Sequence, residues 1–171
     1  MNKNIFFEKK NIKIKKIFKE KRDNFIKKKF IGKVLGLHFR GTSYKTARSH
    51  ALQPNENLMI KFLNKILKKN DYKKIFVITE ERNYLEKLKD HFGEKIIYME
   101  KSYRSYKDDA FRTYPRKNHR YYLAEDILVE TLILSSCDGI ISNSTNVEYA
   151  ARFLSKKKQK IHKIFLGRNS H

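Results

Sequence analysis

The stretch Val34–Lys45, "VLGLHFRGTSYK", changes character halfway along. Val34 to Phe39 is a short, mostly apolar run of the kind that forms a buried strand. Arg40 ends that run, and Gly41 opens a polar segment with Thr42, Ser43, Tyr44 and Lys45. A guanidinium at the exit of a buried strand needs either a structural carboxylate or a bound anion, and spacing leaves both open. Gly41 would let backbone approach a ligand closely, and the planar fork of Arg40 suits a phosphate.

Outward from this strand the pattern alternates. Leu58, Met59, Phe62, Leu63, Ile66 and Leu67 mark a helix that begins near Pro54, and Ile75–Thr79 reads as a second strand. Leu85, Leu88 and Phe92 give a helix stopped by Gly93, followed by a third strand over Ile96–Met99. An apolar helix over residues 123–136 leads to a fourth strand, Gly139–Ser142. Val147, Ala150, Ala151 and Leu154 then supply a helical stripe before a fifth strand at Ile161–Leu166. Before all of these, Ile14, Ile17, Phe18, Phe25 and Ile26 recur at helical spacing between lysines over about residues 11–28. Helical crossovers between strands impose parallel pairing. The fold expected is α/β: a doubly wound, mostly parallel five-stranded sheet with a preceding basic helix.

The 171 residues suffice for one domain, which buries roughly 70% of the surface its unfolded chain exposes. The formal charge of +22 favours anionic partners: nucleic acid, an anionic membrane surface or a phosphorylated small molecule. A composition rich in Lys, Asn and Ile accounts for part of that excess. Cys137 is the single cysteine, which excludes a disulfide framework and agrees with a cytoplasmic location. No signal peptide is read, and no uncharged run reaches the length of a membrane span. The basic helix either packs on its own domain or lies on the inner face of a membrane.

In doubly wound sheets, ligands bind beyond the carboxyl ends of the strands. After the first strand lies Arg40, preceded by His38, which is read as orienting the arginine or its ligand. After the fourth strand come Asn143, Ser144, Thr145 and Asn146, which either cap the helix or, with its positive dipole end, form an anion site. These two loops together could hold a diphosphate. After the second strand, Thr79, Glu80 and Glu81 place carboxylates where they either accept from a guanine or favour a helix dipole. Glu130 interrupts an apolar helix four residues after Asp126 and needs a cation or a hydrogen-bond donor, which leaves open a structural pair with Arg40 or Arg120 and a catalytic role. Residues 100–121 form a long connection in which arginines alternate with tyrosines, fit to stack on bases, cover a nucleotide or hold an acceptor.

Neither G-x-G-x-x-G nor G-x-x-x-x-G-K-[ST] occurs, so the usual dinucleotide and P-loop signatures are missing. The six histidines show no metal-ligand spacing, and Cys137 has no positioned base to make it a nucleophile.

His38-Phe39-Arg40-Gly41-Thr42-Ser43-Tyr44 resembles the "HxRxTD" first motif of GDP-fucose-dependent fucosyltransferases, the group that contains nodulation-factor and α-1,6-fucosyltransferases. Ile78-Thr79-Glu80-Glu81 resembles their "ATDD" segment. Glu130–Asp138 ("ETLILSSCD") with Ile140–Thr145 ("IISNST") resembles their closing motif. The match covers about residues 30–155 in order. It implies the carboxy-terminal, Rossmann-like half of a GT-B glycosyltransferase, with the basic leading helix at 1–30 and a nucleotide-sugar-binding domain at 31–171. By that resemblance Arg40 contacts the β-phosphate, Glu80 or Glu81 the base, Ser144 or Thr145 the diphosphate, and Glu130 supports the loop that carries Arg40. His38, Tyr44, Thr79 and Asn143 complete the expected donor site, and Arg40 and Glu130 are the expected catalytic pair.

The implied reaction is metal-free, inverting transfer from a GDP-sugar to a glycan acceptor, with no other cofactor. The first motif's aspartate is Ser43 here, and the second motif's two aspartates are glutamates. About 30 residues precede the first motif, which leaves three arrangements open: a fragment, a separate acceptor-domain chain or second copy, or a binder without catalysis. The alternative class is a basic α/β module for RNA or single-stranded nucleic acid.

Overall fold

The computed structural model describes residues 12–41, 48–107 and 114–170. In chain order, α1 (Lys16–Lys29) precedes β1 (Lys33–Phe39). Then follow α2 (Glu56–Lys69), β2 (Tyr72–Thr79), α3 (Arg82–Phe92), β3 (Ile96–Ile97), α4 (His119–Leu134), β4 (Gly139–Ser142), α5 (Asn146–Leu154) and β5 (Lys160–Lys163). The strands lie in the order β3-β2-β1-β4-β5 and every pairing is parallel. The α/β, doubly wound reading of the sequence therefore holds.

Strand β1 is buried from Val34 to Phe39, so both of its faces are covered. Because side chains alternate, Leu35, Leu37 and Phe39 join a cluster with Met59 and Leu63 of α2 and Leu85 and Leu88 of α3. On the opposite face Val34 joins Val129 and Ile133 of α4 and Ala151 of α5. Gly36 belongs to that second face, where a Cβ would stand 2.2 Å from Leu134 Cδ1. The strand gives up a side chain so that the end of α4 can pack directly on its backbone. Phe39, last in β1, stacks on Tyr84 with ring centroids 3.5 Å apart.

Helix α1 lays its stripe on the α4 face, with Phe18, Phe25 and Phe30 against that cluster and Phe25 edge-on to Phe76 at 5.4 Å. Lys21 pairs with Glu125 of α4. Packing on the chain's own core thus accounts for Phe18 and Phe25 of its stripe, whereas Ile17 is exposed. Asp138 joins the two central strands at their starts, accepting from the Val34 amide through Oδ2 at 2.8 Å and pairing with Lys157 through Oδ1.

Several boundaries differ from the sequence reading, β2 for one beginning at Tyr72 rather than Ile75. Strand β3 ends at Ile97 because the Met99 carbonyl accepts from the Ser102 amide at 3.2 Å and from the Arg104 guanidinium at 2.9 Å, which turns the chain off the sheet. Strand β5 ends at Lys163, since β4 offers no partner beyond Ser142 after Ile164 has donated to its carbonyl. Helix α4 begins at His119, after the left-handed Asn118. Helix α1 begins at Lys16. Among the described residues no helix is long and apolar enough to cross a membrane.

Candidate functional site

With the strand order β3-β2-β1-β4-β5, the connections from β1 and β4 leave toward opposite faces and open a crevice between them. Arg40 leaves the end of β1, and Ser144, Thr145 and Asn146 leave the end of β4. All four line one cavity of about 230 Å³, together with Arg48, His50 and Arg168. The Thr145 hydroxyl caps α5 by accepting from the Glu148 amide at 3.3 Å, so the next amides, of Asn146 and Val147, stand at the positive end of the helix without intrahelical acceptors. Ser144 holds a left-handed φ of 61° to bring the chain into that cap.

Beneath the cavity runs a buried polar network. His38, 2% exposed, places Nδ1 2.8 Å from the Thr145 hydroxyl. Burial, and then the nearby Arg40, push its pKa down to about 3, so the ring is neutral at physiological pH. Asn143 donates through Nδ2 to the His38 carbonyl and to Gln53 Oε1, both at 2.8 Å. This network fixes the exits of β1 and β4 against each other. His38 and Asn143, expected from the sequence to meet the ligand, are thus behind the cavity and hold its wall.

A second cavity, of about 380 Å³, opens beside the end of β2. Its mostly apolar wall comes from Ile78, Leu123 and Ile127, and its polar groups include Thr79, Glu80, Asp126 and Glu130. Thr79 is buried, and its hydroxyl accepts from the Glu81 amide at 3.1 Å, shaping the turn into α3. Glu80 and Glu81, alike in the sequence, separate here. Glu80 lines the cavity, whereas Glu81 is buried against Gly41, where a Cβ would lie 2.3 Å from the Glu81 carboxyl carbon.

Glu130 meets Arg104 at 3.4 Å rather than Arg40 or Arg120. The reason lies in the long connection: Arg104 is buried, with Nη1 donating to the carbonyls of Met99 and Ser102, and its guanidinium lies 5.1 Å above the Tyr98 ring. Burial pushes the Glu130 carboxyl up to about 7, against the opposing pull of Arg104 and a hydrogen bond with Ser102. Burial also lowers the Arg104 pKa. The same segment is tied to the β2 exit, since the Ser105 amide donates to the Glu80 carbonyl at 2.8 Å and the Arg82 amide to the Ser105 carbonyl at 3.0 Å. Part of the connection expected to cover a ligand is therefore a fixed wall, with Tyr103 facing the second cavity.

Tyr44, Thr42 and Ser43 of the first motif, and Phe111 of the connection, lie outside the described residues. Arg48, Gln53, Arg104 and Arg168 were not singled out from the sequence. The carboxyl-end rule that selected the other loops applies equally to the segment after β5. Arg168 lies in that segment because β5 ends at Lys163. Cys137 is buried and its thiol pKa pushed up, in keeping with a packing role. No cluster of three or more metal-ligating side chains occurs among the described residues.

This sheet order, with its crevice between the first and fourth strands, is that of a doubly wound, Rossmann-like α/β domain. Among solved structures it is shared with an α-1,6-fucosyltransferase NodZ soaked with GDP-fucose, at a TM-score of 0.58 and 17% identity, over 85% of this chain and 44% of that one. Fucosyltransferase NodZ from Bradyrhizobium aligns at 0.54 and 15%, over 85% and 44%. POFUT1 in complex with GDP aligns at 0.60 and 8%, over 91% and 49%. At such identities the likeness is one of fold, and the chain spans somewhat under half the length of the structures it matches. No protein-family model matches the chain, and no curated protein sequence is similar to it.

Proposed function

We propose that this chain binds a GDP-sugar as the donor half of a fucosyltransferase-like glycosyltransferase. The observation that carries the proposal is the convergence of Arg40 and the α5 amino terminus on one cavity at the β1–β4 crevice. A diphosphate there gains charge-assisted hydrogen bonds from the guanidinium and from the Asn146 and Val147 amides. The guanine occupies the neighbouring apolar cavity, where Glu80 accepts from its ring N–H and amino group.

In this reading Arg40 acts in catalysis by neutralising the charge that develops on GDP as the bond between anomeric carbon and phosphate oxygen breaks. An acceptor hydroxyl attacks the anomeric carbon from the opposite face, which inverts its configuration, and its proton is given up to the departing GDP or to water. Glu130 acts at a distance, through Arg104, by holding the wall that contains Tyr103. Fucose as the sugar, a glycan as the acceptor and a further domain or chain to hold it all belong to this proposal. So does a reaction that proceeds without a metal.

A nucleotide-selective thermal shift tests it. A ligand that binds only the folded chain at 100 times its Kd adds about 2.7 kcal/mol of stability. GDP is expected to raise the melting temperature, with ADP and UDP well behind it. Protection by single-stranded oligonucleotides but not by GDP would replace the donor reading with the nucleic-acid one.

A further inference from the structure

Residues 164–170 follow β5 and fold back over the connection between β1 and α2. Ala51 and Arg168 form an antiparallel bridge. The Leu52 amide donates to the Gly167 carbonyl at 2.9 Å, the Ser49 amide to the Asn169 carbonyl at 3.0 Å, and the Asn169 amide to the His50 carbonyl at 2.9 Å. The two segments thus make a short ribbon whose edge closes the first cavity. The ribbon gives the cavity two of its three arginines, Arg48 and Arg168.

Arg168 donates through Nη1 to the Ser49 carbonyl at 2.8 Å. That bond fixes the plane of its fork at the rim and leaves other N–H groups for a ligand. Among the described residues Arg48 makes no hydrogen bond or ion pair, and none of those that line the cavity is a carboxylate. Three guanidiniums around about 230 Å³ offer more N–H donors than one phosphate group can accept at once. Arg48 follows Arg40 on the same connection, whereas Arg168 comes from the other end of the sequence, so the docking of residues 164–170 completes the site.

We propose that Arg168 and Arg48 form the outer half of the anion site and make the cavity selective for two linked phosphates over one. The proposal rests on the donor reading above and extends it to residues outside the three motifs. Arg40 and the α5 amides hold one phosphate, and the ribbon arginines hold the other. Selection for the diphosphate is then a property of the ribbon that the two segments form.

The test compares GDP, GMP and inorganic pyrophosphate by titration calorimetry on the full chain. A charge-assisted hydrogen bond lost from a fixed arginine weakens binding by roughly tenfold to a hundredfold. Arg168→Gln is expected to weaken GDP and pyrophosphate by about tenfold or more while changing GMP less than about twofold, and Arg168→Lys to keep part of the difference. Because Arg168→Gln also removes the bond to Ser49, Arg48→Gln provides a second variant with no such bond to lose, and the same collapse of the GDP-to-GMP ratio is expected. If GDP and pyrophosphate bind the unaltered chain but neither variant changes that ratio, the ribbon inference is overturned and the donor reading stands. If neither ligand binds the unaltered chain at all, both are overturned.

Discussion

His38 Nδ1 lies 2.8 Å from the Thr145 hydroxyl, joining the last turn of side chains on β1 to the cap of α5. One hydroxyl thereby serves both sides of the candidate site: it accepts from the Glu148 amide and bonds a neutral imidazole. Thr145→Val keeps the shape and removes both bonds. The expected cost is on the order of 1–3 kcal/mol, combining a lost cap with a buried ring nitrogen left unpaired. Chemical denaturation measures it, and GDP affinity is expected to fall with it, whereas Thr145→Ser keeps both.

Glu130 gives the chain a pH dependence with a definite sign. Its folded pKa of about 7 stands above the ordinary 4.5, so between those values the folded chain binds more protons than the unfolded one. Stability from this group is therefore present below pH 4.5 and lost as pH rises through 7. The full effect is roughly 3 kcal/mol. The groups that bear on Glu130 are Arg104, Ser102, Asp126 of its own helix and Glu80 beyond β2. His38 slopes the other way, since its lowered pKa makes stability rise with pH between about 3 and 6.5. The difference between wild type and Glu130→Gln isolates the carboxyl: the variant is expected to gain on the wild type as pH rises from 5 to 8. A constant difference would show that Glu130 does not titrate in that range.

Gly41 and Glu81 make a second close contact, this time between the exits of β1 and β2. A Cβ at Gly41 would sit 2.3 Å from the Glu81 carboxyl, so Gly41→Ala must displace one or the other. Glu81 is buried, which hinders its side chain from yielding, and a shift of the Gly41 backbone moves the neighbouring Arg40. Overpacking of this kind costs about 1–3 kcal/mol, and GDP affinity is expected to drop by about tenfold or more. Adding Glu81→Ala to Gly41→Ala frees the space and is expected to recover part of that affinity. No recovery in the double variant would mean that the contact does not position Arg40.

Tyr84 packs its ring against Phe39 at the core, but its hydroxyl is buried without a hydrogen-bond partner among the described residues. A buried unpaired hydroxyl costs about 1–3 kcal/mol. Tyr84→Phe keeps the stack and is expected to stabilise the chain by about 1 kcal/mol in thermal or denaturant melts. A loss of stability would mean that the hydroxyl has an unseen partner.

Periodicity alone carried the fold, because each apolar run in β1, β2 and β4 is buried on both faces and each intervening helix keeps a stripe. The site was legible only where a loop follows a strand directly: Arg40 and Ser144 were readable from their place after β1 and β4. What sequence could not distinguish was direction. Glu80 and Glu81 are adjacent and chemically alike, yet the turn made by the Thr79 hydroxyl sends one to a cavity and the other under Gly41. Arg104 stayed hidden because its partner lies 26 positions away across a connection with no periodic pattern. Arg168 stayed hidden because apolar Phe165 and Leu166 made β5 look longer than it is, although both are exposed.

The central claim is that Arg40 and the α5 entrance grip one ligand. The direct measurement is a ¹⁵N NMR titration with GDP that follows the Arg40 Nε–H and the Asn146 and Val147 amides together. All three are expected to shift along one binding curve with a shared Kd, and Arg40→Ala to weaken the amide response. Saturation by GDP in which the amides or the guanidinium stay unmoved would contradict the account.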